Sequence, residues 1–192
     1  MKKTGIFGGS FDPIHIGHLL TAQYLIENRN LDKIIFIPCY VSPHKIEKGT
    51  SHPIHRLEMT RIALSNASRF EVSDLEIKKE QISYTVDTLK ELKKNFSELE
   101  LIIGYDNILS IDSWKDPDGI FKLADVVVMK RTTTKSVNHN KYMERAIYVE
   151  TPVIEISSSQ IRERIKNNLP ISYYTTEKVA DYIYKNKLYI EE

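Results

Sequence analysis

Three short apolar runs constrain the fold of this chain more than any other feature. Residues 34–37, 101–103 and 126–129 read IIFI, LII and VVVM, without a polar residue among them. A continuous apolar run of this length is typical of a strand that is buried on both faces, as in a parallel sheet. Helical patterns separate the runs, so the sequence predicts parallel strands connected by helices.

Weaker patterns supply the remaining elements. We expect a short strand at 4–7, an alternating strand at 70–75, one or two short strands over 147–156 and a polar loop over 132–146. Helices are predicted over residues 18–27, 55–65, 85–94, 120–124, 157–166 and 176–185. The predicted fold class is therefore α/β, a Rossmann-like doubly wound parallel sheet with helices on both faces and a short C-terminal helical extension. The length suits one domain, expected to span residues 1–192.

Composition narrows the classes of partner. Lys and Arg number 27 against 26 for Asp and Glu, so a general nucleic-acid or membrane-surface binder is not expected. Cys39 is the single cysteine, so no disulfide can form within the chain. No apolar run has membrane-spanning length and no signal-peptide pattern occurs, so a cytoplasmic protein is expected. Small molecules are the expected partners, and a homo-oligomer is compatible with the sequence.

The segment over residues 8–18 carries the strongest indication of chemistry. It reads GGSFDPIHIGH and follows the first predicted strand. His15 and His18 are three residues apart, which would place both rings on one face of the first turn of the next helix. Unpaired N–H groups and the helix dipole favour an anion there, so the segment is predicted to bind a polyphosphate.

This segment matches neither of the common phosphate-binding loops. The chain contains no Gly-Lys-Ser or Gly-Lys-Thr of a Walker loop, and the dinucleotide fingerprint is missing. The segment resembles instead the G-[S/T]-F-D-x-x-H-x-G-H signature of the nucleotidylyltransferase superfamily. The resemblance implies that His15 and His18 are catalytic and contact the ATP phosphates. The ATP-binding positions that it implies here are Gly8, Gly9, Ser10, Phe11, His15 and His18.

A second candidate phosphate site opens the helix predicted over 157–166. Ser157 and Gln160 have the spacing of a capping box, and two more serines and Arg162 follow Ser157. Hydroxyls, main-chain N–H groups and a guanidinium are all donors to phosphate oxygens. Superfamily members have a similar serine/threonine–arginine helix start, which implies that Ser158, Ser159 and a catalytic Arg162 contact the ATP phosphates.

Polar motifs follow four of the predicted strands, at 8–18, 43–45, 104–106 and 157–159. The carboxyl ends of parallel strands share one edge of a sheet, so we expect these stretches to form one cleft. Two anion-binding helix starts in that cleft predict a triphosphate substrate whose α-phosphorus is attacked while pyrophosphate leaves. A phosphate nucleophile needs no general base, because it is mostly dianionic at neutral pH.

A divalent metal ion is expected to bind together with the substrate. Mg²⁺ prefers phosphate oxygens and water to a full cage of protein ligands, so we expect it on the ATP phosphates and predict no metal site made of side chains. His52, His55 and Glu58 have a spacing that superficially suggests such a site. We interpret them as surface residues of a helix.

Further segments resemble one family, the bacterial nicotinate mononucleotide adenylyltransferases. They are IFIP at 35–38, SPHK at 42–45, HRLEM at 55–59, FEVSDLE at 70–76, SYTVDTL at 83–89, IIGYD at 102–106, Trp114 and ISSSQIR at 156–162. The resemblance runs from about residue 4 to residue 189, and SYTVDTL is the most specific segment. It implies an enzyme of NAD biosynthesis that transfers AMP from ATP to nicotinate mononucleotide, giving deamido-NAD and pyrophosphate.

The resemblance also implies which residues bind the acceptor. His44 and Lys45 would hold the phosphate of nicotinate mononucleotide. Thr85 and Trp114 would bound the pyridine ring, with Trp114 stacking on it. Main-chain N–H groups near Thr85 and Trp114 are donors for the pyridine carboxylate.

On the adenosine side, the resemblance implies that Gly104 and Asp106 meet the ribose. The glycine permits close approach, and the carboxylate accepts hydrogen bonds from ribose hydroxyls. The family usually has a small residue between these positions, where this chain has Tyr105.

Three alternative functions stay open at this point. A pantetheine-phosphate adenylyltransferase and an enzyme that prefers nicotinamide mononucleotide would share the chemistry and differ in the acceptor. A nucleotide sensor without activity would share only the fold. Turnover separates the sensor from the enzymes, and the choice of acceptor separates the enzymes from one another.

Overall fold

One parallel sheet organises the computed structural model, which describes residues 2–43, 50–130 and 140–190. The described strands pair in the order β3-β2-β1-β4-β5-β6, and every neighbouring pair is parallel. They are β1 (Lys3–Gly9), β2 (Lys33–Pro38), β3 (Phe70–Val72), β4 (Glu98–Gly104), β5 (Asp125–Lys130) and β6 (Ile147–Glu150). The predicted Rossmann-like sheet is confirmed.

Helices cover both faces of the sheet, as predicted. They are α1 (Ile16–Asn28), α2 (Pro53–Leu64), α3 (Leu75–Lys79), α4 (Thr85–Leu92), α5 (Tyr105–Leu109), α6 (Pro117–Leu123), α7 (Ser158–Lys166) and α8 (Glu177–Lys185). Successive side chains of a strand point to opposite faces. Phe7 of β1 accordingly belongs to a core shared with α1, α2, α7 and α8, and Ile6 to a core shared with α4, α5 and α6. Ile102 and Leu101 of β4 divide between the two cores in the same way.

The strand order reverses at β1, and this reversal places the functional cleft. The chain runs outwards from β1 through β2 and β3, then crosses to the other side, where β4 pairs with β1. The loops after β1 and β4 therefore diverge and leave a crevice at the carboxyl ends of the strands, where open α/β sheets bind ligands. The polar motifs at 8–18 and 104–106 begin at this edge, since β1 ends at Gly9 and β4 at Gly104.

The strand predicted over 70–75 is wrong in its second half. Strand β3 covers only Phe70–Val72, and helix α3 begins at Leu75. The Ser73 hydroxyl accepts from the Leu75 N–H at 3.3 Å, and Ile77 of α3 packs into the core. A local polar cap and tertiary packing therefore override the alternating pattern.

Between β5 and α7, the described residues partly follow the prediction. Residues 132–139 of the predicted loop lie outside the described residues. Met143–Arg145 form a short 3₁₀-helix, because Tyr142 and Met143 are buried in the core next to α6. Of the strands expected over 147–156, β6 is present.

A buried carboxylate ties the strands together at the edge opposite the cleft. Glu100 of β4 has only 1% of its side chain exposed, and it accepts hydrogen bonds from Arg29 Nη2 at 2.7 Å and Nε at 3.1 Å. Lys3 Nζ lies 2.5 Å from Glu100 Oε1. The hydrogen bond to Glu100 raises the pKa of Arg29. The cluster joins β1, β4 and the end of α1.

We predict that Glu100→Gln lowers the free energy of unfolding by about 2 kcal/mol, because charge-assisted hydrogen bonds to two cations are lost. Chemical denaturation measures this change. Glu98→Gln is the matched control, since Glu98 lies on the same strand and is exposed. An equal effect of the two substitutions would contradict the stabilising role of the cluster.

Candidate active site

The loop after β1 is anchored in the core by Phe11. Phe11 is 2% exposed and packs edge-on against Phe7 and His18, with ring centroids 5.8 Å and 5.1 Å apart. Its backbone has φ 48°, which is uncommon for a residue other than glycine. A β-carbon on Gly9 would come 3.0 Å from the Phe11 ring, so glycine at this position lets the ring fold back. Any contact of Phe11 with ATP would thus be made by its main chain.

The two histidines meet at the start of α1, although not in the way predicted. His15 is the extended N-cap and precedes the helix, so its placement within the first turn is wrong. The two rings nevertheless stack, with centroids 3.6 Å apart, because His18 is the third residue of α1 and lies next to the N-cap residue His15. His18 Nδ1 accepts from the His15 main-chain N–H at 3.2 Å. A neutral ring that accepts at Nδ1 carries its proton on Nε2, which makes His18 an Nε2–H donor.

Gly17 allows the histidines and the segment before α7 to pack closely. A β-carbon at Gly17 would lie 3.0 Å from His15 Nδ1 and 3.5 Å from the Ile154 side chain. The glycine between the two histidines is thus explained by close packing.

The start of α7 docks directly on the loop after β1. The Ser157–Gln160 capping box is present, as predicted. The Ser158 hydroxyl donates to the Pro13 carbonyl at 2.9 Å, and Arg162 Nη1 donates to the Asp12 carbonyl at 2.7 Å. The two segments predicted to bind phosphate therefore lie side by side.

Arg162 also makes a hydrogen bond within its own helix, α7. Its Nη2 donates to the Ser159 hydroxyl at 3.2 Å, and 31% of its side chain is exposed. The guanidinium thus has a defined orientation and remains accessible to a phosphate.

A cavity of about 480 Å³ opens beside this loop, at the carboxyl ends of β1, β2 and β4. The predicted site residues that line it are Gly8, Gly9, Ser10, Thr85, Asp106 and Trp114. Seven other predicted site residues do not line the cavity. Gly104 ends β4, and the rest lie in or next to the loop after β1, namely Phe11, His15, His18, Ser158, Ser159 and Arg162. His44 and Lys45 lie outside the described residues. The structure thus divides most of the candidate residues between a cavity and an adjoining cluster that contains both histidines and Arg162.

Two walls of the cavity come from α4 and from the loop before α6. Thr85 is the first residue of α4. The half-buried Trp114 packs against the core that β1 and β4 share with α4, α5 and α6. Trp114 donates its main-chain N–H to the Ile111 carbonyl at 3.0 Å. Lys115 Nζ lies 2.7 Å from Asp87 Oδ2 and 4.6 Å from the centre of the Tyr84 ring. Lys115 thereby connects the two walls, and its hydrogen bond to Asp87 raises its pKa.

Tyr105 does not line the cavity. It is 8% exposed and packs in the core next to α4, α5 and α6. The unusual residue between Gly104 and Asp106 is therefore accommodated by packing inside the protein.

Sequence reasoning assigned no role to Arg56, which the structure places beneath the cleft. Arg56 is 1% exposed. Its guanidinium donates to four main-chain carbonyls, those of Ser10 (2.9 Å), Cys39 (2.7 Å), Tyr40 (2.8 Å) and Ser51 (3.0 Å). The only available signal was the HRLEM segment, which does not reveal that this arginine points inwards.

Glu76 is a second residue that the sequence did not indicate. It lines the cavity, is 9% exposed and accepts from the Thr88 hydroxyl at 2.6 Å. Burial raises the pKa of the Glu76 carboxyl. It lies on α3, directly after the strand predicted over 70–75.

Within residues 2–43, 50–130 and 140–190, no group of three His, Cys, Asp or Glu side chains could hold a metal ion. His52 caps α2, where its Nδ1 accepts from the Ile54 N–H at 3.4 Å. His55 Nδ1 lies 2.9 Å from the Tyr182 hydroxyl. In the same part of the chain, no helix has the length and apolar character needed to cross a membrane.

Comparison with known proteins shows which family this chain resembles. The Cytidylyltransferase-like family matches residues 6–164. A Clostridium novyi protein that is named as a nicotinate-nucleotide adenylyltransferase is 39% identical, over 98% of this chain and 100% of its own length. A Carboxydothermus hydrogenoformans protein with the same name is 40% identical, over 97% of this chain and 98% of its own. The nicotinic acid mononucleotide adenylyltransferase of Plasmodium falciparum, solved in complex with NaAD, has a TM-score of 0.78 and 25% identity, with 98% of each chain covered.

We predict that Arg56→Lys lowers the free energy of unfolding by about 2–3 kcal/mol, because one ammonium cannot reach four separate carbonyls and leaves buried acceptors unpaired. Thermal or chemical denaturation measures the change. Arg61→Lys on the exposed side of the same helix is the control and should change stability by about 0.5 kcal/mol or less. Equal stability of the two variants would show that the buried hydrogen bonds are not needed.

Proposed function

The chain belongs to the cytidylyltransferase-like family, and from that premise we propose that it is a nicotinate-nucleotide adenylyltransferase of NAD biosynthesis. It transfers AMP from ATP to nicotinate mononucleotide and forms deamido-NAD and pyrophosphate. The observation that carries the proposal is the docking of Arg162 on the loop that presents His15 and His18, because it brings the two segments that we propose to bind phosphate next to each other.

The reaction is an in-line transfer between phosphates. An oxygen of the acceptor phosphate attacks the α-phosphorus of ATP, and the bond to the bridging oxygen breaks as pyrophosphate leaves. The acceptor phosphate is mostly dianionic at neutral pH and needs no general base. The protein therefore contributes by aligning the two substrates and by stabilising the charge that develops on the phosphate oxygens.

His15, His18 and Arg162 are the proposed catalytic residues. Our argument for His18 is its Nε2–H, since the ring accepts at Nδ1 from the His15 main chain. Arg162 adds a permanent positive charge, and its hydrogen bond to the Asp12 carbonyl limits the orientations of the guanidinium. All three would contact the triphosphate.

The remaining proposed contacts to ATP come mostly from the main chain. Gly8, Gly9, Ser10 and Phe11 offer the backbone of the loop after β1, and Ser158 and Ser159 offer the first N–H groups of α7. The Ser158 hydroxyl already donates to Pro13, which leaves its main-chain N–H as the proposed donor. Gly104 and Asp106 would meet the ribose at the start of α5.

Nicotinate mononucleotide is proposed to enter the cavity between α4 and the Trp114 loop. Trp114 would stack on the pyridine ring, and the start of α4 at Thr85 would offer N–H groups to the carboxylate. Trp114 donates its own N–H to Ile111, so the next amide, that of Lys115, is the candidate donor on this wall. His44 and Lys45 remain proposed ligands of the acceptor phosphate.

Nucleotidyltransferases of this family use a divalent metal with the nucleotide, and we propose Mg²⁺ carried on the ATP phosphates. The donors around the loop fit this arrangement, because imidazoles, a guanidinium and N–H groups bind phosphate oxygens and leave the ion to phosphate and water. When bound, the ion would neutralise part of the phosphate charge.

Pyrophosphate release tests the proposed acceptor. With ATP and Mg²⁺, we expect nicotinate mononucleotide to give a much higher kcat/KM than nicotinamide mononucleotide or phosphopantetheine. A preference for either of the other acceptors would keep the transfer chemistry and overturn the roles of Thr85 and Trp114. The absence of release with all three would overturn the proposed activity.

His18→Ala serves as the inactive control for this assay. Loss of one donor to the developing charge lowers kcat by about 10²–10³-fold in comparable sites. Near-normal release by this variant would remove His18 from the mechanism.

We expect Trp114→Ala to raise the KM for nicotinate mononucleotide by about tenfold or more with little change in the KM for ATP, because only the acceptor loses a stacking partner. Steady-state kinetics with each substrate varied in turn measure both constants. Trp114→Phe keeps an aromatic face and should recover much of the loss. Equal changes for ATP and the acceptor would reject the stacking role.

A further inference from the structure

The chain returns to the loop after β1 through Tyr189, which follows α8. Lys187 and Tyr189 adopt left-handed backbone conformations, with φ 52° and 65°. The turn brings the Tyr189 side chain into the core beside α2. Its hydroxyl lies 4.0 Å from Met59 Sδ of α2 and 2.8 Å from Oδ1 of Asp12. A residue near the end of the described chain thus contacts the segment that carries His15 and His18.

Asp12 receives several donors and is itself almost fully buried, with 3% exposed. Besides the Tyr189 hydroxyl, Oδ1 accepts from the Ser51 hydroxyl at 2.5 Å, and Oδ2 accepts from the Ser51 N–H at 3.3 Å. The main-chain carbonyl of Asp12 accepts from Arg162 Nη1, which also lies 3.9 Å from Oδ2. The position and tilt of Asp12 therefore set where the guanidinium of Arg162 is held.

We propose that Tyr189 is a positioning residue for adenylyl transfer, whose hydroxyl holds Asp12 and through it orients Arg162 toward the phosphates of ATP. This inference rests on the proposed function of Arg162. Tyr189 itself touches no substrate in this scheme.

The hydroxyl of Tyr189 is suited to this role because it stays protonated. Burial and the neighbouring Asp12 carboxylate both raise the pKa of Tyr189. It is therefore protonated at neutral pH and donates to Asp12 Oδ1. Removal of the hydroxyl leaves Asp12 with the two donors of Ser51, so the fold is retained while one restraint on Asp12 is lost.

The test compares Tyr189→Phe with Tyr182→Phe. Tyr182 lies on α8 and its hydroxyl is 2.9 Å from His55, so the control loses a comparable contact away from the phosphate donors. For Tyr189→Phe we expect a fall of about five- to tenfold in kcat/KM for ATP, of the size expected for the loss of one hydrogen bond. Its KM for nicotinate mononucleotide and its melting temperature should stay close to those of the unmodified protein.

A double-mutant cycle identifies the residue through which Tyr189 acts. In an Arg162→Ala background, Tyr189→Phe should produce no further loss, because the group that it orients is absent. Calorimetric titration with ATP and Mg²⁺ supplies a second readout that needs no acceptor. Tyr189→Phe should weaken ATP binding in the presence of Arg162 and leave it unchanged in the Arg162→Ala background.

The outcomes separate the inference from the proposed function. Unchanged ATP kinetics and ATP affinity in Tyr189→Phe would overturn the inference, as would an equal loss with and without Arg162. A lower melting temperature with equal losses for both substrates would assign Tyr189 a purely structural role. If the unmodified protein transferred no AMP to nicotinate mononucleotide, the proposed function would fail, and the ATP titrations would still decide the role of Tyr189.

Discussion

The loops at the ligand-binding edge of this sheet depend on the buried guanidinium of Arg56. It donates to the carbonyl of Ser10 after β1, to those of Cys39 and Tyr40 after β2, and to that of Ser51 before α2. These four residues lie outside the described strands of the sheet. A planar group with donors in several directions can satisfy their carbonyls together, which is why arginine suits this position better than lysine.

A second set of contacts extends this arrangement to the proposed phosphate site. Ser51, held by Arg56, donates to Asp12, and Asp12 in turn holds Arg162 through its carbonyl. Tyr189 completes the set from the other end of the chain. Because each partner is buried or half-buried, the geometry of the donors is established before a substrate arrives, which lowers the reorganisation needed during the reaction.

The fold and the general chemistry of the site were predictable from local patterns. The apolar runs at 34–37, 101–103 and 126–129 became β2, β4 and β5, because their hydrophobicity is a property of each run itself. The capping box at Ser157 was also predicted, since its partners are three residues apart. The second half of the strand predicted over 70–75 was wrong, because burial of Ile77 depends on distant residues. The contacts of each residue with substrates stay predictions.

By itself, the sequence determined the α/β class and the parallel strands separated by helices, and it singled out the segments predicted to carry phosphate donors, since these depend on residues close together in the chain. Only the tertiary structure decided that His15 caps α1, that Tyr105 is buried, and that Arg56 and Tyr189 support the cleft. The contacts of Arg56 and Tyr189 join residues 46 and 177 positions apart, between Ser10 and Arg56 and between Asp12 and Tyr189. No local pattern encodes such pairs, because they form only when packing of the two cores brings the segments together.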